Sequence, residues 1–212
     1  MIKTRKELAF YLQADRMMNR GSFKCSVKEK LRNVIFPDHI MNYLIHMRKA
    51  DYYANRSGAF YKVMSNYHRL FQRKIGIKLG FSISKDVFGY GLVIPHYGTI
   101  VVGGGNRIGN YAVLHTSICI TNGHKKIGSG LMVSTGAKLT TMENLGDNVT
   151  VAANSVVTKS IVESNILLAG APAVIKKSQI AWYEQNEKYK KRIHQIEELK
   201  AVSYTHLTLP TN

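Results

Sequence analysis

The chain has 212 residues, of which 45% are hydrophobic and 20% charged, so it can form one sizeable core. No stretch approaches the roughly 18 apolar residues of a membrane-spanning helix, and the N-terminal segment is charged rather than signal-like. We therefore expect a cytoplasmic protein. Cys25 and Cys119 lack CxxC or Cys/His spacing, which argues against a disulfide framework and a structural zinc site.

The charge is strongly positive and unevenly distributed. The formal net charge is +17, and residues 1–80 hold 17 of the 30 Lys and Arg side chains but 5 of the 13 Asp and Glu. Such a region can meet nucleic acid, anionic lipid or a polyanionic substrate, or it can be a solvated surface. Because no nucleic-acid-binding signature accompanies it, we expect no nucleic-acid partner and consider contact with the inner membrane face.

The first third of the chain predicts a basic helical module over residues 1–79. Apolar residues spaced by three and four positions predict helices over 4–20, 37–51 and 58–75.

A six-residue repeat occupies residues 80–177. An aliphatic or aromatic residue begins each unit, and a small residue often follows it. A period of six fits neither an amphipathic helix nor an alternating strand, but it is typical of short parallel strands on the faces of a coiled prism. The phase shifts at 106–107 and at 126, where we expect loops to leave the prism. The first positions are Phe88, Ile94, Ile100, Ile108, Leu114, Ile120, Ile127, Val133, Leu139, Leu145, Val151 and Val157.

The remainder of the chain closes the prism. We expect one closing strand over 168–175 and a polar helix over 178–201. Residues 202–212 share no composition with the rest. They resemble translated sequencing-adapter read-through, so we treat them as a non-native tail and exclude them from functional argument.

Three histidines fall within the repeat region: His96, His115 and His124. His96 is off the first position of its unit and is followed closely by Gly98, so its imidazole should project from a corner of the prism. A neutral imidazole can accept a proton from a hydroxyl, an effect worth about 10²- to 10⁴-fold in rate.

These motifs resemble the serine acetyltransferase family of hexapeptide-repeat acyltransferases, in particular its members with short N-termini that are associated with surface-polysaccharide biosynthesis. The resemblance implies a left-handed parallel β-helix with a helical N-terminal module and a C-terminal helix. The matching segments are 91–102, 123–128 and 169–173, with 11–15 and 67–83 in the helical module.

The resemblance also implies direct acetyl transfer from acetyl-CoA to a hydroxyl, in a homotrimer and without a metal. His96 matches the general base. His124 matches a second active-site histidine, which reaches the site from a neighbouring subunit or from the next coil. His115 matches no functional position, and we expect it to pack at a corner or at the trimer axis. The residues expected to bind acetyl-CoA are Thr135, Gly136, Ala153, Thr158, Lys159, Gly170, Ala171, Lys176 and Lys177.

The chain departs from the family at two acidic positions. Ser82 stands where the family has the aspartate partner of its catalytic histidine, and Pro95 replaces an acid next to that histidine. Asp86 or a backbone carbonyl could substitute. The ammonium group of free serine calls for carboxylates, whereas a neutral sugar hydroxyl does not. We therefore expect a sugar of a surface-polysaccharide precursor as the acceptor. Two alternatives stay open: L-serine for cysteine biosynthesis, and a non-catalytic scaffold.

Overall fold

The structure, a computed structural model, describes residues 2–205. Five helices and thirteen strands are found among these residues. The helices are α1 (Arg5–Arg20), α2 (Val27–Ile35), α3 (His39–Ala54), α4 (Ala59–Leu79) and α5 (Glu187–Thr205). The strands are β1 (Phe81–Ile83), β2 (Ile100–Val102), β3 (Arg107–Ile108), β4 (Val113–Leu114), β5 (Ile118–Ile120), β6 (Lys126–Ile127), β7 (Met132–Val133), β8 (Lys138–Leu139), β9 (Asn144–Leu145), β10 (Val149–Val151), β11 (Val156–Val157), β12 (Ile166–Gly170) and β13 (Ala173–Ser178).

The strands form three sheets that are the faces of a prism. Sheet 1 has the order β1-β2-β5-β8-β11, sheet 2 the order β13-β12-β10-β7-β4, and sheet 3 the order β3-β6-β9. All pairings are parallel except that of β12 with β13. The predicted β-helix, with helices before and after it, is confirmed as a parallel β-solenoid.

The six-residue repeat is the core of this solenoid. All the predicted first positions, from Phe88 to Val157, are buried. Equivalent residues stack coil on coil, as Ile127 does on Leu145 and Val133 on Val151. Each aliphatic side chain is therefore covered by its counterpart one coil away, which is the arrangement that the period predicts.

One predicted phase shift is misplaced. Val93 and Ile100 pair with Val113 and Ile118, so the two extra residues of the first coil lie between Val93 and Ile100 and not at 106–107. Ile100 and Val102 are both buried, so either could serve as the first position of its unit. The repeat alone could not distinguish them.

The helical module has one helix more than predicted. α1, α3 and α4 lie where the spacing predicts helices, and α2 was not predicted. Its start signal is a capping box, in which Ser26 and Glu29 bond each other's backbone N–H groups. No helix among the described residues has the length and apolar character needed to cross a membrane.

The C-terminal end closes differently from the prediction. Instead of one strand over 168–175, β12 and β13 form an antiparallel hairpin, and α5 begins at Glu187 and not at 178. The segment before α5 covers the outer face of sheet 2, where the indole of Trp182 donates to the Tyr111 carbonyl at 2.9 Å. Residues 202–205 continue α5, and the rest of the predicted tail lies outside the described residues.

A buried ion pair joins the helices to the first coil. The Arg48 guanidinium of α3 donates to Asp15 of α1 at 2.7 Å, and to the carbonyls of Phe88 and Gly89 at 2.7 and 2.6 Å. The backbone N–H of Leu92 donates to the same Asp15 carboxylate at 3.0 Å. Both charged side chains are buried, so each depends on these partners for the hydrogen bonds that water would otherwise provide.

We predict that Asp15→Asn lowers the free energy of unfolding by about 3–5 kcal/mol, because it removes the carboxylate that is hydrogen-bonded to the buried Arg48 guanidinium. Denaturant titration measures this loss. The matched control is Asp38→Asn, the same change in a more exposed pair with Arg20, which should cost about 1 kcal/mol or less. Equal losses in the two variants would contradict a structural role for the buried pair.

Candidate functional site

The prism has two edges that carry the predicted site residues. The His96 edge comprises the corners between sheet 2 and sheet 1, and the His124 edge comprises the corners between sheet 1 and sheet 3. The corners of the His96 edge are 95–99, 115–117, 134–137 and 152–155, and the end of β12 with its turn into β13, at 169–172, continues the edge within sheet 2. The corners of the His124 edge are 84–87, 103–106, 121–125, 140–143 and 158–160.

His96 stands on the corner that holds the two extra residues. Pro95, His96 and Tyr97 are exposed, so the imidazole projects from the prism instead of filling it. At Gly98, which has a φ of 143°, the chain turns back towards β2. A Cβ added to Gly98 would lie 3.0 Å from the Cγ2 of Thr116. The corner is thus a bulge whose base is tightly packed.

Helix α1 holds the segment that leads into this corner. The Asn19 side chain donates to the Leu92 carbonyl at 2.7 Å and accepts from the Ile94 N–H at 3.2 Å. The backbone entering the bulge is therefore fixed by a helix of the N-terminal module, two residues before His96.

His115, which we expected to pack at a corner or at the trimer axis, is a neighbour of His96. It occupies the next corner of the His96 edge and is half-buried. Burial lowers the pKa of His115, and the positive charge that His96 can carry lowers that pKa further. The two imidazoles are therefore electrostatically coupled. Counting one full coil from the His96 corner would have revealed this proximity.

His124 lies on the other edge. It is exposed, with a φ of 55°, and packs beside Gly105, where an added Cβ would lie 3.0 Å from its Nδ1. The strands of sheet 1 separate it from His96, so the expected route from the next coil is wrong. The route from a neighbouring subunit stays a prediction.

The small residues expected to bind acetyl-CoA continue the His96 edge. Backbone bonds join its successive corners: Gly136 N–H donates to Thr116 at 3.0 Å, and Asn154 N–H donates to Thr135 at 2.9 Å. With about 4.8 Å between neighbouring strands, the row extends about 19 Å from His96 to its last corner. The residues on this edge are Thr135, Gly136, Ala153, Gly170 and Ala171.

The other predicted donor-binding residues lie elsewhere. Thr158 and Lys159 belong to the His124 edge because they follow β11 of sheet 1. Lys176 and Lys177 lie within β13 and not past a closing strand, because the chain turns back into a hairpin. All three lysines are exposed. A single chain therefore does not bring the nine residues into one groove.

The acidic partner of His96 is not supplied by Asp86 of the same chain. Asp86 lies on the His124 edge and accepts a hydrogen bond from Asn55 at 3.1 Å. Burial and the charge of Asp86 raise the pKa of the adjacent Asp51 to about 6. Ser82 lies in β1, in register with Val101. Within the described residues, no carboxylate hydrogen-bonds to His96.

Neither family models nor curated proteins match the chain. Solved structures do match it, and the similar ones include serine acetyltransferases. The Neisseria gonorrhoeae enzyme in complex with serine has a TM-score of 0.57 at 20% identity, covering 82% of this chain and 70% of that chain. The Brucella abortus strain S19 enzyme has a TM-score of 0.54 at 20% identity, with coverage of 81% and 68%.

A serine acetyltransferase in complex with CoA is similar to the same extent. Its TM-score is 0.53 at 20% identity, and the match covers 80% of this chain and 68% of that chain. At these identities the likeness shows a shared β-solenoid fold.

We predict that His96→Gln raises the pKa of His115, because it removes the neighbouring group whose positive charge opposes protonation. The pKa should stay below its ordinary value, since burial is the larger cause. An NMR titration of isotope-labelled histidines measures the shift. His194→Gln in the exposed part of α5 is the matched control. Equal His115 titrations in the two variants would show that the histidines are not coupled.

Proposed function

We propose that the protein is an acetyl-CoA-dependent O-acetyltransferase of the serine acetyltransferase type, with His96 as general base. The observation that carries the proposal is the position of His96, which is exposed at one end of a continuous edge of small residues. The general base therefore lies at the end of a row of small residues along which the extended arm of acetyl-CoA can bind.

The reaction needs one proton acceptor and no covalent enzyme intermediate. His96 takes the proton of the acceptor hydroxyl as its oxygen attacks the thioester carbonyl. The new O–C bond forms, the C–S bond breaks, and the imidazolium returns its proton to the departing thiolate.

The His96 edge fits the pantetheine arm of the donor. Its later corners carry the small residues Gly136, Ala153 and Gly170. The Lys138 ammonium bonds to this edge, donating to the carbonyls of Ser117 and Gly136 at 2.8 Å each. A solved serine acetyltransferase of the same fold binds CoA. Exposed lysines at Lys176 and Lys177 supply positive charge for the nucleotide phosphates at the C-terminal end of the solenoid.

A homotrimer completes the site in this proposal. The two edges flank sheet 1, so packing sheet 1 around a threefold axis brings the His124 edge of one subunit against the His96 edge of the next. The outer face of sheet 1 carries Val101, Cys119 and Val156, which are at least partly exposed in the single chain. His124, Thr158 and Lys159 would then enter the same groove from the neighbour, and Asp86 lies on that edge too.

The acceptor we favour is a sugar hydroxyl of a surface-polysaccharide precursor on the cytoplasmic side. The described corners of the His96 edge carry no carboxylate that could meet an ammonium group. L-serine is the second candidate, because a similar solved structure is a complex with serine. A catalytically silent scaffold is the third.

We predict thiol release from acetyl-CoA in the presence of nucleotide sugars, measured with a thiol reagent, and no comparable release with L-serine. His96→Ala should lower the rate by about 10²- to 10⁴-fold with unchanged oligomer mass. His194→Ala, which changes an exposed histidine of α5 outside both edges, is the matched control.

Strong release with serine and none with sugars would overturn the sugar assignment and retain the acetyltransferase. If His96→Ala matches wild type under every acceptor, the general-base role is refuted and the scaffold is favoured.

A further inference from the structure

Helix α2 presents its apolar face to solvent. The exposed fractions of Val27, Leu31, Val34 and Ile35 are 73%, 68%, 80% and 73%, and that of the adjoining Phe36 is 72%. No residue of the helix is buried. A helix of nine residues, none of them buried, is only marginally stable. A surface that covers its apolar face would therefore stabilise it.

The polar face of α2 is the one that faces the body of the protein. Glu29 and Asn33, one turn apart, are the half-buried residues of the helix. The Glu29 carboxylate accepts from Arg16 of α1 at 2.8 Å and also closes the capping box with Ser26. The orientation of α2 is therefore fixed by specific contacts that direct its apolar face outward.

Positive charge surrounds this apolar face. At 100° per residue, Lys28 and Lys30 lie on its two sides, one on each. Lys24 precedes the helix, and Arg32 lies further round it. The one acidic residue of α2, Glu29, is already paired with Arg16 on the opposite face.

We infer that α2 docks on a bilayer that contains anionic phospholipid. Exposed aliphatic and aromatic side chains flanked by lysines are the pattern of a helix that lies in the interfacial plane, with the apolar face among the acyl chains and the lysines at the headgroups. A second copy of α2 would instead bring two rows of lysines together, and like charges oppose that packing. Charge complementarity thus favours the lipid surface.

The docked helix is coupled to the candidate site through α1. Arg16, in the last turns of α1, bonds to Glu29 near the start of α2. Arg20 bonds to Asp38, which lies beyond the end of α2. Asn19, between Arg16 and Arg20, holds the backbone two residues before His96. Membrane binding does not depend on the acetyl-transfer reaction. If both hold, His96 works at a fixed orientation to the bilayer, where a lipid-linked acceptor would lie.

The test is flotation of the full chain with two kinds of vesicle: phosphatidylcholine alone, and phosphatidylcholine with one quarter phosphatidylglycerol. We expect binding to the anionic vesicles, weakened by added salt, and little binding to the neutral ones. The double variant Val34→Ser/Ile35→Ser should lower the apparent affinity by about tenfold or more. Because both side chains are mostly exposed, circular dichroism and thermal unfolding should match wild type.

Two matched controls separate this inference from a general effect of charge or polarity. Val162→Ser changes an equally exposed aliphatic residue on another surface and should leave binding unaltered. Lys28→Gln/Lys30→Gln should weaken binding more than Lys188→Gln/Lys191→Gln, which removes two exposed lysines near the other end of the chain.

Three results would overturn the inference. The first is no flotation of the wild-type chain with either vesicle. The second is equal binding by Val34→Ser/Ile35→Ser and wild type. The third is a loss of oligomer mass in that variant without vesicle binding by wild type, which would assign the face to a second copy. Acetyl transfer by the unbound protein in solution would be unaffected by all three, so the proposed reaction is tested separately.

Discussion

Each coil of the solenoid covers the apolar face of the coil before it, and the positions of the corners and of the candidate site follow from this stacking. A two- or three-residue strand cannot bury its own aliphatic side chain, but a vertical stack of equivalents such as Ile127 and Leu145 excludes water between them. The parallel hydrogen bonds fix the register of the stack. Corners of successive coils then fall above one another, which turns scattered loop residues into two continuous edges.

The first coil needs a cover of another kind, and the helices provide it. Side chains of α3, including Tyr43, Leu44 and Met47, share one hydrophobic cluster with the solenoid. Arg48 then satisfies backbone carbonyls that no preceding coil could pair with. The basic module is therefore continuous with the solenoid core. Its first helix positions both the exposed α2 and the backbone that leads to His96.

The two edges differ in chemistry, and this difference bears on function. One carries His96, His115 and small residues, while the other carries Asp86 and His124. Sheet 1 separates them, so the chain carries the two halves of the proposed groove on opposite sides of one face. In the proposed enzyme, assembly is what joins the halves, and the helical module sets the orientation of the assembled site to a membrane.

The repeat, the core residues, the solenoid and the exposure of His96 could all be predicted from the sequence, because a period of six with aliphatic first positions reflects burial that is local to each coil. Features that depend on register and on packing between distant segments could be seen only in the folded chain. It placed the two extra residues beside His96, brought His115 next to it, turned 168–175 into a hairpin and left the apolar face of α2 uncovered. A sequence pattern shows which side chains are apolar, but it does not show which surface packs against them. The packing surface decides whether an apolar stripe becomes part of the core or an exposed docking face.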